Sequence, residues 1–176
     1  GDPRALSSGT HSLPARRSAG LDAGGYTIYL QRLNDPVEAV PIAYGEVVTA
    51  TIDHRAQMSA YTFTADAGDV MLLRANDHRE ALDPQVRLYD AQGTLLTSAH
   101  DFDRVEITHT LASAAYTLLV GDDGGDDTGG YSLYLQRLND PAEAVPITYG
   151  EVMTGSVDHR AQMRAHTFTA DAGDLM

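Results

Sequence analysis

The residues best suited to chemistry lie in one acidic, glycine-rich stretch, residues 121–130. It carries four carboxylates on a backbone that glycine makes flexible: Asp122, Asp123, Asp126 and Asp127. Carboxylate oxygens are the hard donors that Ca²⁺ prefers, although the spacing is neither that of an EF-hand nor that of a nonapeptide β-roll repeat. We predict that these four aspartates bind calcium weakly, and the alternative is a solvated loop. The sequence requires no other cofactor.

A repeated Asp-His-Arg triplet is the second group with chemical potential. Asp53, His54 and Arg55 recur as residues 158–160. A carboxylate beside an imidazole could act as an acid–base pair. Consecutive residues of a strand, however, point to alternate faces and cannot converge. The triplet therefore predicts a solvated turn.

No other motif indicates catalysis. The sequence has no nucleophile-elbow serine, no HExxH zinc site, no Walker loop, no dinucleotide-binding glycine pattern and no cysteine. We therefore expect no catalytic residue, no site for an organic cofactor and no enzymatic activity.

The elements that must position these residues are predicted to be strands. Apolar and polar residues alternate in short runs bounded by Gly, Asp or Pro, which is typical of strands with one buried face. These runs are residues 26–31 with their copy 131–136, 61–64, 86–89, 105–108 and 116–120. Residues 70–73 are apolar on both faces and predict a central strand, and residues 66–69, 90–93 and 121–130 predict turns or loops.

This pattern predicts an all-β fold, an antiparallel jelly-roll-like β-sandwich with about eight strands in each module. The inward faces predict which side chains form the core: Tyr61, Phe63, Leu72, Leu88, Ile107, Leu118, Leu133 and Leu135. The aromatic residues predicted to face outward are Tyr29, Tyr89 and Tyr134.

The chain repeats itself at long range. Residues 24–71 return 105 positions later as residues 129–176, with 37 of 48 positions identical. Such a repeat is typical of a tandem array. We therefore predict a complete β-sandwich module at residues 36–140. Residues 1–35 are predicted to be the C-terminal part of a preceding module, and residues 141–176 the N-terminal part of a following one.

The repeat also bears on the predicted metal site. Residues 16–25, which align with the acidic loop, keep only Asp22, so calcium would not bind to every module. A second acidic group could add ligands only if separate loops meet: Asp77, Asp83, Asp101 and Asp103.

Composition excludes several classes of partner. Twelve Arg and no Lys stand against twenty-five acidic residues, which gives a net charge of −13. Such a surface repels nucleic acid and anionic lipid. No apolar run approaches the ~18 residues of a membrane span. We expect neither nucleic-acid binding nor membrane insertion.

Four blocks of the sequence together resemble the bacterial pre-peptidase C-terminal domain: residues 61–69 (YTFTADAGD), 82–96 (LDPQVRLYDAQGTLL), 115–120 (AYTLLV) and 130–135 (GYSLYL). They occur in the order typical of that family, although Ala114 and Ala115 precede Tyr116 where Gly is usual. The resemblance implies a jelly-roll-like sandwich that serves as a non-catalytic module of secreted bacterial proteins, sometimes in tandem. Some relatives, such as the collagen-binding modules of clostridial collagenases, bind calcium and extracellular matrix.

Two functions follow as expectations. The first is a structural repeat of an extracellular or cell-surface bacterial array, such as a filament, stalk, surface layer or giant adhesin, whose modules contact copies of themselves head to tail. Pro36 and Pro41 stiffen the connector between modules and favour this prediction. The alternative is an accessory module that directs a secreted hydrolase to extracellular matrix or polysaccharide.

Overall fold

The computed structural model describes residues 6–15, 25–78 and 81–175. These residues form strands, turns and extended segments. They include no helix that could cross a membrane. The strands are β1 (Val40–Pro41), β2 (Val47–Ile52), β3 (Met58–Ala65), β4 (Val70–Asp77), β5 (Pro84–Tyr89), β6 (Leu95–His100), β7 (Arg104–Thr110), β8 (Ala114–Asp122), β9 (Gly129–Arg137), β10 (Val145–Pro146) and β11 (His166–Thr167).

Nine of these strands build a sandwich of two sheets. One sheet has five strands in the order β1-β3-β8-β5-β6, and the other has four in the order β2-β9-β4-β7. All neighbours are antiparallel except β1 and β3, which run parallel with Val40 opposite Tyr61. The predicted all-β sandwich is confirmed, and its five-stranded sheet is mixed rather than purely antiparallel. Strand β4 lies between β9 and β7, as expected for a central strand.

A single apolar cluster fills the space between the sheets. It joins residues of β3, β5 and β8 to residues of β2, β4, β7 and β9. All eight residues predicted for the core are buried. Seven of them belong to this cluster, whereas Leu72 does not. Leu72 alternates with Met71 and Leu73, which do, so it lies on the outer face of its sheet.

Two tyrosines tie the sheets together inside this core. The hydroxyls of Tyr61 on β3 and Tyr131 on β9 lie 2.7 Å apart and are hydrogen-bonded. Burial raises the pKa of both phenols, because an ionised phenolate would lose its hydration there. Both hydroxyls are therefore neutral at ordinary pH.

The structure corrects two predictions from the sequence. Residues 26–31 form no strand. Their copy β9 lies between β2 and β4 and already occupies the facing edges of those two strands. The predicted loop 121–130 is shorter than expected, because β8 extends to Asp122 and β9 begins at Gly129.

Residues 145–167 contain a third, very small sheet. Strands β10 and β11 pair in parallel, with Val145 opposite His166. These positions are the copies of Val40 and Tyr61, which pair in the same way in β1 and β3. The parallel pairing of β1 with β3 is therefore repeated by β10 and β11.

Candidate functional site

The acidic loop between β8 and β9 brings together three of the four predicted metal ligands. One carboxylate oxygen from each of Asp122, Asp126 and Asp127 lies within 4.8 Å of the others. Asp122 is buried at the end of β8, and the other two aspartates are exposed. In the part of the chain that the structure describes, this is the only group of three or more His, Cys, Asp or Glu side chains with such spacing.

The Asp122 carboxylate also has a structural task. One oxygen accepts the backbone N–H groups of Asp126 and Asp127 at 3.1 and 3.3 Å, and the other accepts that of Asp83 at 3.0 Å. These contacts close the loop and attach it to the segment that precedes β5. They account for the burial of Asp122 without a metal ion.

Asp123 lies outside the group. Its carboxylate accepts a hydrogen bond from the Gln85 side-chain amide at 2.5 Å and lies 3.4 Å from Nδ1 of His100. The four carboxylates predicted to act together are thus divided between two environments. The sequence could not reveal this division, because it depends on strands β5 and β6 beside the loop.

Asp83, one of the second acidic group, lies beside the loop. Desolvation and the charges of Asp122, Asp127, Asp123 and Asp126 raise its pKa. Asp77 and Asp103 form a separate contact, in which the Asp77 N–H donates to the Asp103 carbonyl at 2.9 Å. Among the described residues, Asp77, Asp101 and Asp103 join no multidentate group with the loop.

The Asp-His-Arg triplet forms an exposed turn between β2 and β3. Its backbone is capped by Gln57, whose side-chain oxygen accepts the N–H groups of Asp53 and His54 at 3.0 and 2.9 Å. The three side chains are exposed to solvent. The triplet therefore lies where the sequence predicts it.

The larger candidate site is a pair of open apolar faces. Tyr131 and Leu135 of β9 are fully buried, whereas their copies Tyr26 and Leu30 are 75% and 77% exposed. The same contrast holds at the other end, where Phe168 is 49% exposed and its copy Phe63 is buried. Near both ends of the described chain, side chains whose copies are buried in the core are therefore exposed.

The tyrosines predicted to face outward are covered. Tyr89 and Tyr134 lie on the outer faces of the sheets but are buried, and Tyr29, which belongs to no strand, is half-buried. Tyr134 donates to the Met163 carbonyl at 3.0 Å, and Tyr89 packs beside Leu33. The prediction of exposed rings is wrong because segments flanking the sandwich fold back over these faces.

Comparison with known proteins identifies the fold. The structure is similar to the pre-peptidase C-terminal domain of a collagenase from Bacillus anthracis, with a TM-score of 0.51 and 16% identity over 58% of this chain and 99% of that one. Weaker similarities are to the Aeromonas hydrophila PliG inhibitor of g-type lysozyme (TM-score 0.42, 14% identity, 56% and 96% covered) and to the Yersinia pseudotuberculosis-derived mitogen (TM-score 0.40, 12% identity, 56% and 89% covered). No protein-family model and no curated protein matches the sequence.

The first of these similarities agrees with the resemblance found in the sequence. Nearly the whole of that collagenase domain superposes on part of this chain. At this level of identity the comparison establishes a shared sandwich fold and leaves activity and ligands to other arguments.

Proposed function

We propose that this chain is a non-catalytic structural repeat of an extracellular bacterial array, built from sandwiches of the pre-peptidase C-terminal family joined in series. Residues 36–140 are the repeating unit of this proposal. The array is a filament, stalk, surface layer or giant adhesin, and its partners are further copies of the same repeat, head to tail.

One observation carries the proposal: identical residues are buried in one copy and exposed in the other. Leu135 is fully buried in β9, whereas Leu30, its copy, is 77% exposed. Exposed apolar faces of this kind mark contact sites in soluble proteins. The partner that fits this face is the one that already covers its copy, namely strands equivalent to β2 and β4.

The other end of the chain supplies a matching element. Residues 152–157 are the copy of β2, and Val152 and Val157 are exposed. In the sandwich, Val48 of β2 lies opposite Leu133 of β9. Applied to the copies, this register sets Met153 of one repeat opposite Ile28 of another. The copy of β2 thus supplies one of the two strand neighbours that β9 has, and a contact between the two ends is head to tail and can propagate.

The burial of outer-face tyrosines also supports a structural role over an accessory binding module. A module that binds a matrix protein or polysaccharide is expected to present exposed aromatic rings. Tyr89 and Tyr134 are instead covered by neighbouring segments. Phe102, 81% exposed in the turn between β6 and β7, is an exposed ring on the sandwich itself.

Electron microscopy of the native assembled material tests the proposal. Rods or sheets with a regular spacing of subunits are the expected result. Isolated globules attached to a catalytic domain would contradict it and would favour the accessory module, in which case Phe102→Ala is the variant to test for loss of matrix or polysaccharide binding.

A further inference from the structure

We propose that the outer face of the five-stranded sheet is a docking surface for the end of the preceding repeat, and that a tyrosine–glutamine clamp locks successive sandwiches in one orientation. This inference rests on the proposed function and adds that the joint between repeats is rigid. We define the joint as residues 29–39 together with the surface they contact on β3, β5 and β8.

The clamp is formed by Tyr29 and Gln31. The Tyr29 hydroxyl donates to the Met58 carbonyl on β3 at 2.6 Å. The Gln31 side-chain oxygen accepts the Val37 N–H at 2.9 Å, and its amide nitrogen donates to the Val37 carbonyl at 3.0 Å. The glutamine amide thus pairs with Val37 as a second peptide group would. One residue anchors the segment to the sandwich, and the other closes the connector on itself.

An apolar contact completes the joint. Leu33 packs against Ala60, Tyr89 and Leu119 on the outer face of β3, β5 and β8. The turn between β5 and β6 comes so close that a Cβ on Gly93 would lie 3.2 Å from the Cβ of Leu33. Gly93 has a φ of +80°, so a larger residue there is disfavoured by both the backbone and the contact. Leu33 therefore packs closely between this turn and the outer face of the sheet.

The clamp recurs at the end of the complete sandwich, 105 positions later. Tyr134 donates to the Met163 carbonyl at 3.0 Å. Gln136 pairs with Ala142 through both atoms of its amide, at 2.9 and 3.1 Å. Two clamps with different surroundings share the same hydrogen bonds. The geometry is therefore determined by the joint's own sequence.

The backbone of the connector also has the same shape twice. Glu38 and Glu143, its copy, have φ values of 60° and 58°. A non-glycine residue seldom adopts the left-handed region, so its occurrence at both positions indicates a specified turn. Prolines at 36 and 41, repeated at 141 and 146, further limit the connector. A freely jointed linker would have neither feature.

The difference between the two leucines locates the docking surface. Leu33 is half-buried on β3, β5 and β8, whereas Leu138, its copy, is 40% exposed. Ala165, the copy of Ala60, lies in the segment that follows Leu138 along the chain. At each boundary between repeats, the joint therefore requires a complete five-stranded sheet like the one that Leu33 contacts.

Distance measurements between two spin labels test the rigidity of the joint. The chain has no cysteine, so Asp35→Cys within the joint and Ser98→Cys on β6, both at exposed positions, provide the only labelling sites. We expect one narrow distance distribution in the full chain. Gln31→Ala and Leu33→Ala should broaden it, and the exposed control Gln92→Ala should leave it unchanged. Because Gln31 lies outside the sandwich sheets, its variant should keep the wild-type melting temperature.

Amide hydrogen exchange gives a second measurement on the same variants. Loss of the clamp should lower the protection of the Val37 amide by up to roughly tenfold, the effect of one side-chain hydrogen bond. A broad distribution in the wild-type chain, or equal widths and equal protection in wild type and Gln31→Ala, would overturn the rigid joint.

The failures of the two proposals are distinguishable. Chains of beads that bend freely in electron micrographs, with broad label distances, would refute the joint and leave the array. A narrow distribution of label distances in a protein that forms only isolated globules would refute the array, and the rigid joint would still stand.

Discussion

Strand β9 and its copy at residues 24–32 have nearly the same sequence and opposite environments. In β9, Tyr131, Leu133 and Leu135 are fully buried between the sheets. In the copy, Tyr26, Ile28 and Leu30 are exposed, and residues 25–32 form no strand. The local sequence is therefore not sufficient to form the strand. Within the described residues the copy has no strand partner on either side, whereas β9 pairs with both β2 and β4.

The comparison can be tested most strongly with matched leucine variants. Leu135→Ala removes a fully buried side chain and should lower the free energy of unfolding by about 2–5 kcal/mol. Leu30→Ala makes the same change at an exposed position and should alter it by less than about 0.5 kcal/mol. Chemical denaturation of both variants measures the difference. Equal losses would mean that the copy is packed as β9 is.

Two tyrosine variants test the difference in burial between β9 and its copy through the pH dependence of stability. Burial raises the pKa of Tyr131 and Tyr61. The stability that neutral phenols contribute is fully present below the unfolded pKa of about 10. It is lost as pH rises through the higher folded values. The melting temperature should therefore fall above about pH 10, less steeply in Tyr131→Phe and as in wild type in Tyr26→Phe. Identical alkaline profiles for all three proteins would contradict this.

The loops that precede β9 and its copy differ in charge, which allows a test of calcium binding. If Asp122, Asp126 and Asp127 bind Ca²⁺, calcium at a hundredfold excess over its dissociation constant should stabilise the sandwich by about 2.7 kcal/mol. Asp126→Asn with Asp127→Asn should abolish this gain, and Asp123→Asn should retain it. Calorimetry with and without calcium measures the effect. An unchanged wild-type melting temperature would make the loop an ordinary solvated one.

The smallest expected effect concerns Asp83, which is crowded by the same loop. Its raised pKa means that the folded chain holds this proton more tightly than the unfolded chain does. Its ionisation therefore opposes folding, and the cost disappears as pH falls through the folded pKa. Asp83→Asn should slightly raise the melting temperature at neutral pH and have no effect in acid. A lower melting temperature at neutral pH would contradict the assigned direction.

Much of the sandwich could be predicted from the sequence because alternation reports burial directly. Tyr61, Phe63, Leu118 and Leu133 each follow a two-residue period, and each lies in the core. Leu72 lies in a run that is apolar on both faces, so alternation could not assign its side. The parallel pairing of β1 with β3 has no local signal, because it depends on the path of the connector.

The contact sites were harder to predict than the core. Tyr89 and Tyr134 occupy outward positions of their strands, and only the three-dimensional path of residues 33 and 163 explains their burial. Gln31 and Gln136 carried one available signal, since both copies keep an identical glutamine. The grouping of Asp122 with Asp126 and Asp127, apart from Asp123, depends on hydrogen bonds from the loop backbone and on the position of Gln85.

Hydrogen exchange at residues 25–31 tests the central claim most directly. In the proposed array, neighbouring repeats cover this segment, which then pairs as β9 does. Its amides should exchange rapidly in the isolated 176-residue chain and become protected in the native assembled material, to the level of residues 130–136. Rapid exchange at residues 25–31 in both preparations, with residues 130–136 protected throughout, would contradict the account.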